Sequence, residues 1–264
     1  MPNKGEIMKI KRFMAIARLN LLIQLRDPIP TILMTIIPLM LTPFLIPSSK
    51  TLLISEGYAS ATGAEQVVPG MAVLFSFLSV QFIVQSFFDE HTWGTWPRLR
   101  STAATPADII MGKTAVIYLI QAVQLIVVLA AGSLLYDYRP NGSIAALVIV
   151  ALVFSAVLTA FGVVLSLWIR SENTALALAS LVGMLMAGIG GAIGSISGFP
   201  GWARPVSKIS PAYWALDAVH KVSLDSAGIG DVGGQIGILL IFLAVLVAVC
   251  IIRCIMGVDT RKME

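Results

Sequence analysis

Six stretches of this chain, at about 28–47, 67–88, 113–135, 144–169, 174–197 and 235–256, stay apolar over a length that crosses a bilayer. No other feature constrains the fold as tightly. Inside hydrocarbon a backbone must satisfy its own N–H and C=O groups, and a single segment manages this only as a helix. The chain is therefore predicted to be an all-α integral membrane protein with six transmembrane helices. Composition agrees: 12% of the 264 residues are charged, about half of what a water-exposed domain carries.

Ahead of the first span, Ile7, Ile10, Phe13, Met14, Ala17, Leu21 and Leu25 recur at helical spacing, with Lys9, Lys11, Arg12, Arg18 and Arg26 mostly between them. Residues 1–27 are thus predicted as an amphipathic helix with a basic side, suited to the headgroup layer and ending at Asp27-Pro28. About thirty residues precede the first apolar run and no small-residue cleavage site follows it, so no cleavable signal is expected.

Pro38 and Pro43 predict a kinked first span whose freed carbonyls are met by neighbouring helices. Residues 48–66 read as a small polar loop. The second span is interrupted only by uncharged groups, among them Ser76, Ser79, Gln81 and Gln85. Tyr136, Tyr138 and the turn Pro140-Asn141-Gly142 close the third span. Asn141-Gly142-Ser143 fits a glycan acceptor, but so close to the membrane plain turn chemistry is the better reading. In the fifth span Gly190, Gly194 and Gly198 recur every four residues, a small-residue stripe for close helix packing within the subunit or across a dimer. Residues 199–234 form an outer loop with Pro200, Trp202, Pro211, Tyr213 and Trp214, read as helical pieces dipping into the interface. Residues 257–264 form a tail.

The N-terminal helix, the 89–113 loop, the 170–173 link, and the tail together with Arg253 at the end of the last span hold thirteen of the eighteen Lys and Arg residues. By the positive-inside rule these segments, and both termini, face the cytoplasm.

No acidic or basic side chain falls in the middle of a span, which counts against an ion-coupled carrier with a buried ionisable group and against a membrane-embedded hydrolase. His91 and His220 fall on opposite sides of the predicted membrane and cannot share a metal; no metal site is expected. Gly112-Lys113-Thr114 matches the end of a phosphate-binding loop, but the first glycine of that motif would be Ala107 and no strand precedes it. No nucleotide cofactor is therefore expected on this chain.

The segment Asp89–Lys113, DEHTWGTWPRLRSTAATPADIIMGK, is charged and turn-forming between two spans. Its Glu90, Gly94-Thr95, Arg98-Leu99, Thr102 and Ile109-Ile110-Met111-Gly112-Lys113 resemble the cytoplasmic loop of the type 2 ATP-binding-cassette (ABC) transporter permeases. The six-span layout, the amphipathic first helix and Pro211-Ala212-Tyr213 with Asp217-Ala218 extend that resemblance over essentially the whole chain. Thr102-Ala103 stands where the family often has Thr-Pro, and Pro97 is a further departure that leaves the loop helix limits open.

The resemblance implies an exporter-type permease of the bacterial inner membrane, paired with a second permease copy and two cytoplasmic ATPase subunits that bind ATP and Mg. Residues 89–112 would be the coupling loop, carried by Asp89, Glu90, Trp93, Gly94, Thr95, Arg98, Leu99, Arg100 and Thr102. Arg98 and Arg100 would offer charge to an acidic cleft, and Trp93 and Leu99 apolar anchors. It implies a substrate path lined by the second and fifth spans, which nominates Phe75, Gln81, Phe82, Gln85, Met184 and Met186 for hydrophobic or amphipathic cargo. No nucleic-acid partner is expected. Two other classes stay open from the residues alone: an ion-coupled carrier or channel working without an ATPase, and a non-transporting immunity or assembly protein.

Overall fold

The computed structural model describes residues 4–92 and 105–256. All regular structure among them is helical: α1 (Lys4–Arg26), α2 (Ile29–Ser55), α3 (Ala64–Leu78), α4 (Val80–Thr92), α5 (Pro106–Leu135), α6 (Ile144–Trp168), α7 (Glu172–Ile189), a 3-10 turn (Ile196–Gly198), α8 (Ala203–Ser207), α9 (Pro211–Leu224) and α10 (Gly233–Ile255). Six spans are long and apolar enough to cross a membrane: α2, α3 with α4, α5, α6, α7 and α10. The spans differ sharply in their surroundings. In its most apolar stretch the second is 78% buried within the chain, while the first and sixth are 11% and 6% buried. Lipid is the solvent for the outer pair.

Several boundaries depart from the sequence pattern, each for a local reason. The first span continues through residues 48–55 as helix instead of ending at 47. Ser48, Thr51 and Ser55 turn their hydroxyls back onto carbonyls three or four residues earlier, so polar residues stay inside the helix. The third span begins at Pro106, not 113, because Thr105 caps it: its side chain accepts from Asp108 N–H while Asp108 accepts from the Thr105 N–H. Pro106 fits the first helical position, where its missing donor costs nothing. The fifth span stops at Ile189 instead of 197, since Gly191 takes φ of +91° and turns the chain.

Three prolines lie inside α2, and the gaps left by two of them are met from α5 and the residue that follows it. A proline at position i leaves the carbonyl at i−4 without its helical donor. Pro43 frees Leu39 O, which accepts from the Tyr136 hydroxyl at 2.5 Å. Pro38 frees Met34 O, toward which Gln124 Nε2 points at 3.4 Å.

At the centre, α6 buries Val150, Phe154 and Leu158 against both halves of the second span. Phe77 and Phe154 meet edge to face with ring centroids 5.7 Å apart, a favoured aromatic geometry. Gly162 gives α4 its close approach, because a Cβ there would lie 2.7 Å from Ile83 Cγ2. On α7, Ala175, Ala179, Gly183 and Ala187 are all buried at four-residue spacing. This stripe, one span's face against α3 and α4, is the small-residue surface within the chain. Of the glycines expected to serve that role, Gly190 does pack tightly, since a Cβ on it would lie 2.4 Å from Ala212 Cβ of α9. Gly194 and Gly198 lie beyond the end of α7 and a Cβ at either would meet nothing within 4 Å, so they form no packing stripe inside the chain.

The candidate coupling end and transport face

Residues 93–104, including Trp93, Gly94, Thr95, Arg98, Leu99, Arg100 and Thr102, lie outside the described residues. What the structure does describe is the frame on which that segment is hung. Three helices meet there: α1, the end of α4, carrying Asp89 and Glu90, and the start of α5. Gly112 lets α1 cross α5 closely, for a Cβ on it would stand 2.9 Å from Ile16 Cγ2 and 3.3 Å from Phe13 O. Ile16 and Asn20 form the side of α1 turned to the bundle. Met14, Leu22 and Leu25 are exposed with Lys11, Arg18 and Arg26, so the predicted apolar side faces away from the protein. Exposed apolar residues flanked by basic ones suit a helix lying at a membrane surface.

Lys113 follows Gly112 and is buried at 3% exposure. Its Nζ donates to Ser86 O of α4 and lies 5.2 Å from the centre of the Phe87 ring. At the end of α6, Arg253 Nε donates to Leu167 O at 3.1 Å and its guanidinium lies 5.7 Å from the Trp168 ring. Lys113 thus bonds to a carbonyl in the middle of α4, whereas Arg253 bonds to one in the last turn of α6, where the helix dipole favours positive charge. The Gly-Lys pair that resembles a phosphate-loop ending is used for helix packing.

The six nominated path residues do not share one surface. Phe75 is buried in a cluster packed by Met34, Ile37 and Leu45 of α2, and Met186 packs against the main core. Gln81 and Phe82 are half-buried. Gln85 of α4 and Met184 of α7 are exposed, the latter on a face with Leu178, Leu181 and Leu185.

Sequence reasoning passed over two glutamines of α5. Gln121 is 3% exposed and Gln124 5% exposed, and they serve the gap between α3 and α4. Gln121 Nε2 donates to Ser76 O at 3.0 Å, and Gln124 Nε2 donates to Ser79 Oγ at 2.9 Å. The available signal was Gln-x-x-Gln, which places both amides near one side of a helix.

The opposite end of the bundle is stitched by long-range polar contacts. Glu56, just after α2, accepts from Ser195 Oγ at 2.8 Å and from Ser197 Oγ, while Arg204 Nη2 donates to Ser197 O at 2.6 Å. Tyr58 donates to Asp225 at 3.1 Å. Tyr138 shares a 2.7 Å bond with Ser223 Oγ, and Gly142 N–H donates to Val222 O at 2.9 Å. Pro140–Ser143 is therefore a turn bonded to the end of α9. Burial pushes the Tyr138 phenol up to about 12. Burial also pushes the His220 imidazole below its ordinary value, against the pull of Asp217, Glu56 and Asp225. The His220 ring is half-buried overall, but its Nε2 is buried without a hydrogen-bond partner.

Six spans, a surface helix and a charged segment slung between the second and third spans define a multi-pass membrane protein of the transport-permease class. The chain belongs to the ABC-2 transporters: the family model described as "ABC-2 family transporter protein" matches residues 18–252. Among curated proteins it is similar to the linearmycin resistance permease protein LnrN of Bacillus subtilis (strain 168), with 23% identity over 187 residues. That match covers 71% of this chain and 48% of the relative, so the chain spans about half the length of that protein.

Proposed function

We propose that this chain is the transmembrane subunit of an ATP-driven exporter in a bacterial inner membrane, both termini cytoplasmic. It works as a homo- or heterodimer of permease chains on two ATPase subunits, which bind ATP and Mg. The cargo is a hydrophobic or amphipathic small molecule, lipid or peptide, moved outward by alternating access. The observation that carries this reading is the family match over nearly the whole chain, joined to a relative named for resistance to linearmycin. The exposed apolar face of α7, with Leu178, Leu181, Met184 and Leu185, supports it by offering a surface for a second copy and its cargo. The frame of α1, α4 and α5 supports it too, since motion of residues 93–104 would be passed directly to the second and third spans.

The test is purification in mild detergent from native membranes, with ATP hydrolysis assayed. An ATPase subunit in equal amount, and hydrolysis stimulated by an amphipathic drug, is the expected result. Charge reversal at Arg98 and Arg100 should then weaken ATPase association without changing membrane insertion. A chain that purifies alone and carries flux without ATP would replace this reading with the ion-coupled carrier.

A further inference from the structure

The second span is divided near its middle. In the 26-residue stretch Ala64–Asp89, α3 stops at Leu78 and α4 begins at Val80. At the break Ser79 N–H keeps its ordinary helical bond to Phe75 O at 2.9 Å, but Phe82 N–H closes on Ser79 O at 3.0 Å, three residues back instead of four. There is neither proline nor glycine between Phe75 and Phe82 to force this. A helix interrupted in hydrocarbon strands its carbonyls, which costs several kcal/mol for each one left unmet. The break therefore exists because something outside the span supports it.

That support comes from α5. Gln121 holds Ser76 O, the acceptor that an unbroken helix would give to the Val80 N–H. Gln124 has two amide hydrogens: one goes to Ser79 Oγ at 2.9 Å, the other points to Met34 O at 3.4 Å. Ser79 spends its own hydrogen on Phe75 O at 2.8 Å. One side chain thus serves the proline gap of the first span and the break of the second. Beside it lies a pocket of about 30 Å³ whose polar lining is Gln24, Thr31, Ser79, Gln121 and Gln124. A site that holds one water needs roughly 10–15 Å³ and two to four polar partners.

The two halves of the second span also keep different company. The α3 half packs mainly on α2, α5, α7 and α9 and touches α6 through Phe77, while the α4 half packs mainly on α6 and α7. Of the two shared neighbours, α7 meets both halves with its smooth stripe of Ala175, Ala179, Gly183 and Ala187. Two bodies joined at one re-routed turn and sliding over small residues have the features of a hinge.

We infer that the layer of Ser76, Ser79, Gln121 and Gln124 is a hydrated hinge that lets the α4 half of the second span move against the α3 half. Its use in a transport cycle rests on the permease reading above; its existence does not. Residues 93–104 follow α4 directly, so a displacement there would bend the span at Ser79 instead of tilting it whole.

The test is amide hydrogen exchange on the full chain in lipid nanodiscs, with any co-purifying ATPase retained. Exchange requires water, so residues 79–83 should exchange at least about tenfold faster than the continuous helix at 154–158, the factor that one lost hydrogen bond gives. Gln121→Leu removes the support for Ser76 O, whose cheapest partner then becomes the Val80 N–H of a straightened helix. Exchange at 79–83 should slow in that variant by about tenfold. Gln121→Met provides the same reading if the leucine variant fails to insert. Residues 79–83 protected as fully as 154–158, or exchange unchanged by either substitution, would overturn the hinge. The exchange comparison needs no nucleotide and so reads the hinge even if no ATPase co-purifies. A cargo-stimulated ATPase alongside flat exchange would remove the hinge alone.

Discussion

The two ends of the bundle are held by different physics. Where α4 and α5 flank residues 93–104, cations bond to carbonyls, Lys113 to Ser86 and Arg253 to Leu167, and α1 rests on a glycine. At the opposite end the loops are tied to one another by hydroxyls, carboxylates and backbone, with partners up to 167 positions apart. The glycines tell the same story. A Cβ on Gly70 would lie 2.3 Å from the Ala192 backbone oxygen and one on Gly142 2.4 Å from Ala227 O, whereas one on Gly112 would first meet the tip of Ile16. At Gly70 and Gly142 the nearest neighbour is backbone, which cannot rotate away, whereas at Gly112 it is the Ile16 side chain, with the Phe13 carbonyl a little further off at 3.3 Å.

The sharpest way to break the comparison is to put a methyl group at each end. Gly70→Ala drives a Cβ into a backbone carbonyl that no rotamer change can move, so it should destabilise the folded chain by about 3 kcal/mol. An apparent melting temperature in detergent several degrees below the parent would show this. An unchanged value would mean that the outer end is as yielding as the other. Next in size is Lys113→Met, which keeps the buried stem and removes the charge. Loss of a charged hydrogen bond at a buried position should cost about 2 kcal/mol. Its melting shift should come with weaker ATPase stimulation, a readout that Gly70→Ala in properly folded protein should leave alone. The contrasting case is Gly112→Ala. The gain in helix propensity of about 1 kcal/mol opposes contacts with Ile16 Cγ2 at 2.9 Å, Ile16 Cβ at 3.1 Å and Phe13 O at 3.3 Å, which a shift of α1 by a few tenths of an ångström relieves. The expected net change is under about 1 kcal/mol, and a loss as large as that of Gly70→Ala would erase the difference between the ends.

How much of this was legible in the sequence depends on which force set each feature. The six spans were legible because lipid selects for apolar length, and the freed carbonyls of the first span because a missing N–H can be read from one letter. Helix ends were less so. Thr105 and Asp108 form a capping box outside the apolar run, and Ser48 and Thr51 stay helical by bonding backward, so hydropathy alone misplaced both limits. The glycine stripe misled because Gly190, Gly194 and Gly198 were read at helical spacing past the point where Gly191 turns the chain. The real stripe is three alanines and a glycine, which in a membrane span look like filler. The path residues were nominated from the resemblance, span by span, and span membership does not say which face a side chain takes: Phe75 packs under α2 while Gln85 is exposed. Gln121 and Gln124 carried a signal that is visible only once their partners, 45 positions away, are known.

The smallest expected effect is a pH response confined to the stitched end. His220 sits on α9 with Asp217 one turn before it and Asp225 and Glu56 close enough to act on it, yet burial outweighs them and lowers its affinity for a proton. In an opened or unfolded α9 the imidazole would titrate near its ordinary value of 6.5. As pH falls below that value, the open form takes up the proton first, so the closed form loses stability with falling pH. The opposite limb comes from Tyr138: its phenol is raised from 10.0 to about 12, so the closed form should lose stability again as pH rises from 10 toward 12. Amide exchange of α9, corrected for its intrinsic pH dependence, should therefore be slowest between these limits and quicken at pH 5 relative to pH 7.5. His220→Leu should abolish the acid limb, and Tyr138→Phe the alkaline one. If the acid limb persists in His220→Leu, the imidazole does not set it, and the pH response is no longer evidence that burial of His220 helps hold α9 at the stitched end.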